Sequence, residues 1–262
     1  FIGLTKDRIE EDYLRILRYF RFFICYSKID HEEDTLKAIR LNINGSGTTV
    51  FGALPRNVKD LNASLSNAHL NFTIEHTIGN VETGAGSDNI SVSSGQNDIT
   101  TADGDDVLKL LDGQTQLSTQ DGNDEVTVTG GTNSVGTGAG NDNVTFSGGS
   151  NSLNSGTGDD IVASSGGNNT LDSGAGDDNV TLSGGSNILD TGDGDDTVLL
   201  EEGQNTVNTG EGDDVITFVD GENELDAGLG DDTLRIISSG TVTVPTTANV
   251  ESFFISDTVH QS

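Results

Sequence analysis

The sequence predicts an all-β fold, a right-handed parallel β-roll with an 18-residue coil, preceded by a short α-helical segment. Three observations predict the roll. An aspartate recurs with an 18-residue period, nine times, without insertion or deletion. A glycine stands two residues before each aspartate, and an aliphatic residue stands two residues after it. Polar and apolar residues alternate beside the aspartates, which is the pattern of a short strand with one buried side.

The three repeated positions keep one phase along the chain. The aspartates are Asp88, Asp106, Asp124, Asp142, Asp160, Asp178, Asp196, Asp214 and Asp232. The glycines are Gly86, Gly104, Gly122, Gly140, Gly158, Gly176, Gly194, Gly212 and Gly230. The aliphatic residues are Ile90, Leu108, Val126, Val144, Val162, Val180, Val198, Ile216 and Leu234. Because residues one period apart lie in adjacent coils, about 4.8 Å apart, we expect each series to form a column.

Each 18-residue unit divides into two similar halves of nine residues. Nine residues after Asp142 comes Asn151, with Gly149 two residues before it and Leu153 two residues after it. Asparagine occupies this position in seven of eight units between residues 97 and 223. The two halves turn at opposite edges of the roll, so we expect a charged column of aspartates on one edge. The other edge should carry a neutral ladder of asparagines that bond to one another.

The turn sequences resemble a known calcium-binding repeat. Residues 83–91, TGAGSDNIS, and residues 191–199, TGDGDDTVL, are similar to the RTX-type nonapeptide GGxGxDxUx with threonine in place of the first glycine. The resemblance covers residues 83–236. It implies a β-roll that binds Ca²⁺, with the nine aspartates and nine glycines named above as the metal-site residues.

Electrostatics leads to the same metal. Two carboxylates about 5 Å apart repel by roughly 3 kcal/mol at an effective dielectric near 20, so a column of them opposes folding. Ca²⁺ accepts six to eight oxygen ligands with tolerant geometry, whereas zinc prefers His and Cys, which residues 83–236 lack. We therefore predict up to eight calcium positions on the aspartate edge. The first three turns should bind less well, because Ala102 and Gln120 replace a glycine and Ser87 replaces an acid.

The charge distribution excludes several functions. The net charge is -31, and residues 44–262 contain four basic residues against 35 acidic ones. Such a surface repels DNA and anionic lipid.

The sequence also excludes two other features. No apolar run has the length of a membrane span, and the single Cys25 excludes an intramolecular disulfide. Since the sequence begins with Phe1, we expect the chain to be a fragment.

The first 43 residues differ from the rest. Apolar residues at helical spacing predict an amphipathic helical pair. The run RIEEDYLRILRYFRF, residues 8–22, resembles the tRNA nucleotidyltransferase and poly(A) polymerase family, whose EDxxR element matches Glu11 to Arg15. The resemblance implies that Asp12 and Arg15 hydrogen-bond a nucleotide base. The catalytic DxD and the phosphate-binding loop of that family have no counterpart, so we expect no enzymatic activity, and RNA is a partner only if this segment functions.

These features predict four regions. They are a helical segment at 1–43, a linker and N-terminal cap at 44–69, the calcium-binding roll at 70–236, and a C-terminal cap and tail at 237–262. Bulky apolar residues at the end of the chain, Ile236, Val242, Val244, Phe253, Phe254 and Ile255, are expected to close the core. A gene fusion, a truncation and a mis-assembled sequence would each explain the junction near residues 42–47, and the sequence does not choose among them.

The sequence supports three functions to different extents. The leading one is a calcium-stabilised structural or adhesive module of an exported bacterial protein, extracellular or on the cell surface, with an unknown partner. The alternative is a truncated tRNA nucleotidyltransferase fragment fused to the roll, without catalysis, which by itself would indicate the cytoplasm. An ice-binding roll is disfavoured, because the column three residues before the aspartates contains a single threonine, Thr157, among nine residues.

Overall fold

A computed structural model describes residues 47–54, 58, 60–237 and 247–255. The chain divides into two units, residues 1–38 and residues 39–262, and all the described residues belong to the second. The predicted helical segment, with Asp12 and Arg15, lies outside the described residues, as do Val242 and Val244.

The regular elements of the described part are all β-strands. They are β1 (Thr48–Ala53), β2 (Asp60–Asn62), β3 (His69–Ile74), β4 (Gly79–Glu82), β5 (Asn89–Val92), β6 (Gln96–Thr100), β7 (Val107–Leu110), β8 (Gln114–Ser118), β9 (Glu125–Val128), β10 (Thr132–Ala139), β11 (Asn143–Phe146), β12 (Ser150–Thr157), β13 (Ile161–Ser164), β14 (Asn168–Asp172), β15 (Asn179–Asp190), β16 (Thr197–Asn208), β17 (Val215–Phe218), β18 (Glu222–Asp226), β19 (Thr233–Ile236), β20 (Thr247–Ala248) and β21 (Ser252–Ile255). No helix in this part is long and apolar enough to cross a membrane.

The strands wind into a parallel β-solenoid of about ten coils. Strands of adjacent coils pair in parallel, which gives two stacks of strands. The first stack contains β1, β3, β5, β7, β9, β11, β13, β17, β19 and β21; the second contains β2, β4, β6, β8, β10, β12, β14, β18 and β20, while β15 and β16 run through both. Partners in the repeat lie at an 18-residue offset, as in Ile90 with Leu108 and Asn151 with Asn169. The predicted all-β parallel solenoid and its coil length are confirmed for the described residues, whereas the predicted helical segment lies outside them.

The core consists of aliphatic columns between the two stacks. The predicted column two residues after the aspartates is at most 1 % exposed at every position from Ile90 to Leu234. The second stack contributes a facing column that includes Val81, Leu153 and Leu225. Alternating side chains enter the core along each strand, as in the buried Val144 and Phe146 of β11. Burial of these side chains is the main contribution to the stability of the roll, at about 25 cal/mol for each Å² of apolar surface removed from water.

The solenoid starts one coil earlier than the sequence predicts. Strands β1 and β2 stack on β3 and β4, so the region expected to be a linker and cap contains a further coil. This coil is less regular, with a register shift between Val50 and Gly52. Its changed offset is the reason that the 18-residue phase does not reveal it.

The last described coil does not close the core in the predicted way. Strand β21 pairs with β19, yet Phe253, Phe254 and Ile255 are 50 %, 61 % and 75 % exposed. Among the described residues no further strand stacks on β21, so its side chains lack the neighbours that bury Leu234 and Ile236 one coil earlier.

Candidate metal centre

The nine repeated aspartates lie at the turns that lead from the second stack into the first. Each is at most 2 % exposed. One carboxylate oxygen, Oδ1, accepts a hydrogen bond of 2.7–2.9 Å from the backbone N–H of the residue 18 positions earlier, starting with Leu70 to Asp88 and ending with Asp214 to Asp232. We call this column of nine aspartates the Asp edge. The structure therefore brings the predicted aspartates together in one continuous ladder.

The other carboxylate oxygen of each aspartate is an orphan. The Oδ2 atoms of all nine are buried and have no hydrogen-bond partner among the described residues. A buried polar atom without a partner costs roughly 1–3 kcal/mol, and more if it is charged. The Asp edge repeats this cost in every coil, so each of its turns holds a buried oxygen that can still accept a partner.

Burial raises the pKa values of the aspartates. It raises the pKa of Asp106 to about 8, and the carboxylates of Asp88 and Asp124 add to the rise. Burial raises the pKa of Asp178 to about 7 in the same way, with Asp160 and Asp196 as neighbours. Burial is also the main cause of the raised pKa at the other members of the edge, namely Asp88, Asp124, Asp142, Asp160, Asp196, Asp214 and Asp232.

The predicted glycines form the turn backbone beside these carboxylates. At Gly194 φ is 140°, and a Cβ atom there would overlap the carbonyl oxygen of Gly176 in the preceding coil. Glycine is thus required both for the backbone angle and for the close stacking of turns. Positive φ recurs at Gly104, Gly122, Gly140, Gly158, Gly176, Gly212 and Gly230, whereas Gly86 is the exception. In the first turns Ala102 and Gln120 also have positive φ, at 63° and 74°, so the turn shape persists without glycine.

A buried column of hydroxyl groups accompanies the Asp edge and was missed at the sequence level. It stands five residues before each aspartate and is interrupted only by Ala227 at its end. In seven coils the hydroxyl donates to the backbone carbonyl of the corresponding residue in the next coil, at 2.9–3.3 Å; these donors are Thr83, Thr119, Thr137, Ser155, Ser173, Thr191 and Thr209. The hydroxyl residues follow the same 18-residue period. Threonine and serine are common in turns, however, so their recurrence alone does not indicate a buried column.

The hydroxyl column also lies close to the carboxylates of the Asp edge. Thr119 lowers the pKa of Asp124, although burial outweighs this effect and the net shift is upward. A hydroxyl group has a single proton to donate. The proton of Thr119 goes to the backbone carbonyl of Thr137, so the hydroxyl leaves Oδ2 of Asp124 without a donor.

A second, exposed ladder runs beside the Asp edge. It consists of the residues directly before the aspartates, such as Asp159, Asp177 and Asp195. From Asp105 to Asp213, each of these side chains accepts a hydrogen bond from the backbone of the following coil, as in Asp195 N–H to Asp177 Oδ1 at 3.0 Å. On the Asp edge, by contrast, each carboxylate accepts its hydrogen bond from the backbone of the preceding coil. The two ladders therefore tie each turn to both of its neighbours.

The opposite edge carries the predicted asparagine ladder, and this prediction is confirmed. We call the column Asn133, Asn151, Asn169, Asn187, Asn205 and Asn223 the Asn edge. The Nδ2 of each of the first five donates to the Oδ1 of the next asparagine at 2.7–2.9 Å. Each also donates to a backbone carbonyl three residues earlier, as from Asn151 to Gly148 at 2.9 Å. The amide has both a donor and an acceptor, so this edge satisfies itself.

The chemistry of the Asp edge fits a hard divalent cation. Carboxylate, hydroxyl and backbone carbonyl oxygens are the donor types present, and these suit Ca²⁺. Within the described residues, no group of three or more His, Cys, Asp or Glu side chains is gathered in the way a compact metal cluster requires. The reason is geometric, because one coil contributes a single inner carboxylate and the next carboxylate belongs to the next coil. Calcium held here would need two coils and backbone oxygens.

Known proteins match two separate parts of the chain. A family model described as the RTX calcium-binding nonapeptide repeat, in four copies, matches residues 82–117, 147–180 and 181–216. The matched residues therefore carry RTX calcium-binding repeats, and they lie within the parallel β-solenoid. Residues 118–146 lie between the matched stretches, yet the structure continues the same ladder there through Asp124 and Asp142. No solved structure matches this chain.

The second match is short. The mitochondrial CCA tRNA nucleotidyltransferase 1 of Mus musculus and that of Homo sapiens are each 55 % identical to this chain over 47 residues, and that of Danio rerio is 53 % identical. The matched segment is 17 % of this chain and 11 % of each relative, so the chain spans about a tenth of their length. The resemblance to this family is confirmed for a fragment.

Proposed function

We propose that this chain binds a row of calcium ions along the Asp edge alone, and that the ions stabilise the folded roll. The nine buried Oδ2 atoms without partners carry the proposal. The proposed ligands are the nine aspartates and the backbone of the glycines two residues before them. Calcium, when bound, would supply the positive charge that lets these carboxylates stay ionised inside the fold.

The chain's own groups prepare such a site before a cation arrives. The backbone N–H of the preceding coil holds each Oδ1, which fixes the carboxylate and leaves Oδ2 for another partner. Burial penalises the ionised carboxylate in the absence of metal. The Asn edge needs no ion, because its amides complete their own hydrogen bonds. Coupled folding and calcium binding follow from this difference.

Circular dichroism and isothermal titration calorimetry of the whole chain test the proposal. In EDTA we expect reduced β-sheet signal and a low unfolding temperature. Calcium should restore the signal with several ions bound per chain, and each position gives about 2.7 kcal/mol when free calcium is 100 times its Kd. Magnesium at the same concentration should restore less, since it demands a stricter octahedral shell. Identical spectra in EDTA and calcium, with no heat of binding, would refute it.

We further propose that the roll is a structural or adhesive module of an exported protein. Its support is the match to RTX calcium-binding repeats and the strongly acidic composition. A module that works outside the cell should bind calcium with Kd values of about 0.1–1 mM. A calcium titration of the folding transition measures this directly. A midpoint below about 1 µM would instead mean that the sites fill at intracellular calcium concentrations, which would contradict an extracellular role.

A second candidate function concerns the segment related to the nucleotidyltransferases. The 55 % identity over 47 residues favours nucleotide or RNA recognition there, with Asp12 and Arg15 as the contacting residues. We expect no transferase activity, so tRNA incubated with the chain, CTP and ATP should keep its length. If the segment binds RNA, Arg15→Ala should weaken binding in a gel-shift assay, while Asp178→Asn, a change within the Asp edge, should not.

A further inference from the structure

One carboxylate outside the 18-residue series occupies the position that a tenth aspartate would have. The backbone N–H of Asp232 donates to Oε2 of Glu251 at 3.0 Å. In the coil before, the N–H of Asp214 donates to Oδ1 of Asp232 at 2.9 Å. Glu251 therefore accepts the same hydrogen bond, from the same kind of donor, as every member of the Asp edge.

Strand register supports this equivalence. Ser252 of β21 pairs with Thr233 of β19, which brings Glu251 alongside Asp232. The next backbone bond also repeats, since Ser252 N–H donates to Asp232 O at 3.0 Å and Thr233 N–H donates to Asp214 O at 2.8 Å. The offset from Asp232 to Glu251 is one residue longer than the offset within the repeat. That single extra residue removes Glu251 from the sequence pattern.

The turn before Glu251 is shorter than the turns of the repeat. Six residues separate Asp226 from Thr233, whereas three separate the paired residues Ala248 and Ser252. The short turn contains no glycine, and its Asn249 has φ 60° and donates to Asp226 Oδ1 at 3.1 Å. It supplies a carboxylate to the end of the Asp edge without the glycine-rich loop that precedes the others.

We propose that Glu251 is the tenth carboxylate of the column and that, with Asp232, it completes a terminal calcium position. The inference rests on the proposed function. Asp232 is completely buried and its Oδ2 has no hydrogen-bond partner, so it offers the same free oxygen as the inner aspartates. Glu251 is exposed at the end of the column, so this position should fill at a higher calcium concentration than the inner ones. Its filling would fasten β21 to β19.

Glu251→Gln tests the proposal in the full chain. The glutamine keeps an oxygen that can accept the Asp232 N–H, and it loses the charge. Titration calorimetry should show one calcium fewer per chain than wild type, with the inner positions unchanged. Hydrogen exchange of residues 252–255 should be alike in both proteins in EDTA, and calcium should slow it in wild type only. Glu224→Gln, which removes an exposed charge from β18, is the matched control and should behave as wild type.

The outcomes separate this proposal from the one on which it rests. Wild type that binds no calcium would overturn the calcium-binding function and the terminal position together. Wild type that binds calcium, with Glu251→Gln binding equally many ions at equal affinity, would overturn the role of Glu251 alone. Loss of one ion in Glu224→Gln as well would also overturn it, because the effect would then belong to net charge.

Discussion

The two edges of the solenoid have the same construction and opposite chemistry. On each, one polar side chain per coil is buried and bonds along the column at an 18-residue offset. The Asn edge uses an amide, which both donates and accepts, so each residue satisfies the next. The Asp edge uses a carboxylate, which only accepts when ionised, so one oxygen in each coil remains without a partner. Replacing one NH₂ group by an oxygen thus separates a ladder that satisfies its own hydrogen bonds from one with an unpartnered oxygen in every coil.

Stacking geometry alone therefore does not decide which edge binds metal. Both edges present oxygens at the spacing of adjacent coils. On the Asn edge the Nδ2 groups donate to the next side chain, whereas on the Asp edge the Oδ2 atoms have no hydrogen-bond partner among the described residues. The most direct tests are therefore substitutions that exchange the two side chains.

Asp178→Asn should have the strongest effect in saturating calcium. Asp178 lies between two coil gaps, so its loss weakens two proposed positions and should lower the free energy of unfolding by about 5 kcal/mol at 100 times Kd. In EDTA the sign should reverse, because the amide removes a buried carboxylate with a raised pKa. Thermal unfolding in both buffers measures this. Asp177→Asn, at the exposed neighbour, is the control and should change stability by less than about 1 kcal/mol in either buffer.

Asn169→Asp should come next, and its effect should not depend on calcium. Nδ2 of Asn169, which has two protons to donate, lies 2.9–3.0 Å from three oxygens, Ser164 Oγ, Gly166 O and Asn187 Oδ1. A carboxylate would meet two of these acceptors without a proton to donate, which should cost about 3 kcal/mol in calcium and in EDTA alike. Asn168→Asp adds the same charge at the exposed neighbouring position and should cost little. Rescue of Asn169→Asp by calcium would show that the Asn edge can also become a metal edge.

A third test uses pH. The carboxyl pKa is about 8 at Asp106 and about 7 at Asp178 in the fold, against 3.8 as the ordinary value. The folded state thus holds more protons than the unfolded state between about pH 4 and pH 8. Stability without metal is therefore greatest at low pH and is lost as the pH rises through the folded pKa values. In EDTA the unfolding midpoint should be at least about 5 °C higher at pH 5 than at pH 8.

Calcium should reverse this dependence, because it binds the deprotonated carboxylates. Asp106→Asn should flatten the pH profile in EDTA, since it removes the group whose pKa is about 8. Greater stability of the metal-free chain at pH 8 than at pH 5 would mean that the Asp edge is solvated and ionised without metal.

The weakest response should come from the first turns of the Asp edge. Ala102 and Gln120 have positive φ where later turns have glycine. Ala102→Gly should therefore relieve backbone strain and raise the free energy of unfolding by about 0.5–1 kcal/mol. Ala175→Gly, at a position with ordinary φ, should not stabilise. Chemical denaturation in calcium measures both, and equal effects would mean that the first turns carry no strain.

Much of the fold could be predicted because the period is strict. The aspartate, glycine, aliphatic and asparagine series each occupy one offset, and the structure places each in a column. What was missed lies where the period changes or where the residue type is common. The coil of β1 and β2 and the carboxylate of Glu251 have offsets other than 18, and the threonine and serine column looks like ordinary turn composition. The exposure of Phe253 depends on what stacks above it, which composition does not encode.

The constant 18-residue register means that the solenoid is built from coils of equal length and equal rise. Each coil meets its neighbours through the same hydrogen bonds and the same apolar columns, so any internal coil is exchangeable with the next. Removing one whole coil would shorten the solenoid by about 4.8 Å and leave every column in register, whereas removing half a coil would set the Asp edge against the Asn edge. The length of such a protein can therefore change only in fixed steps, and each step adds or removes one carboxylate from the column.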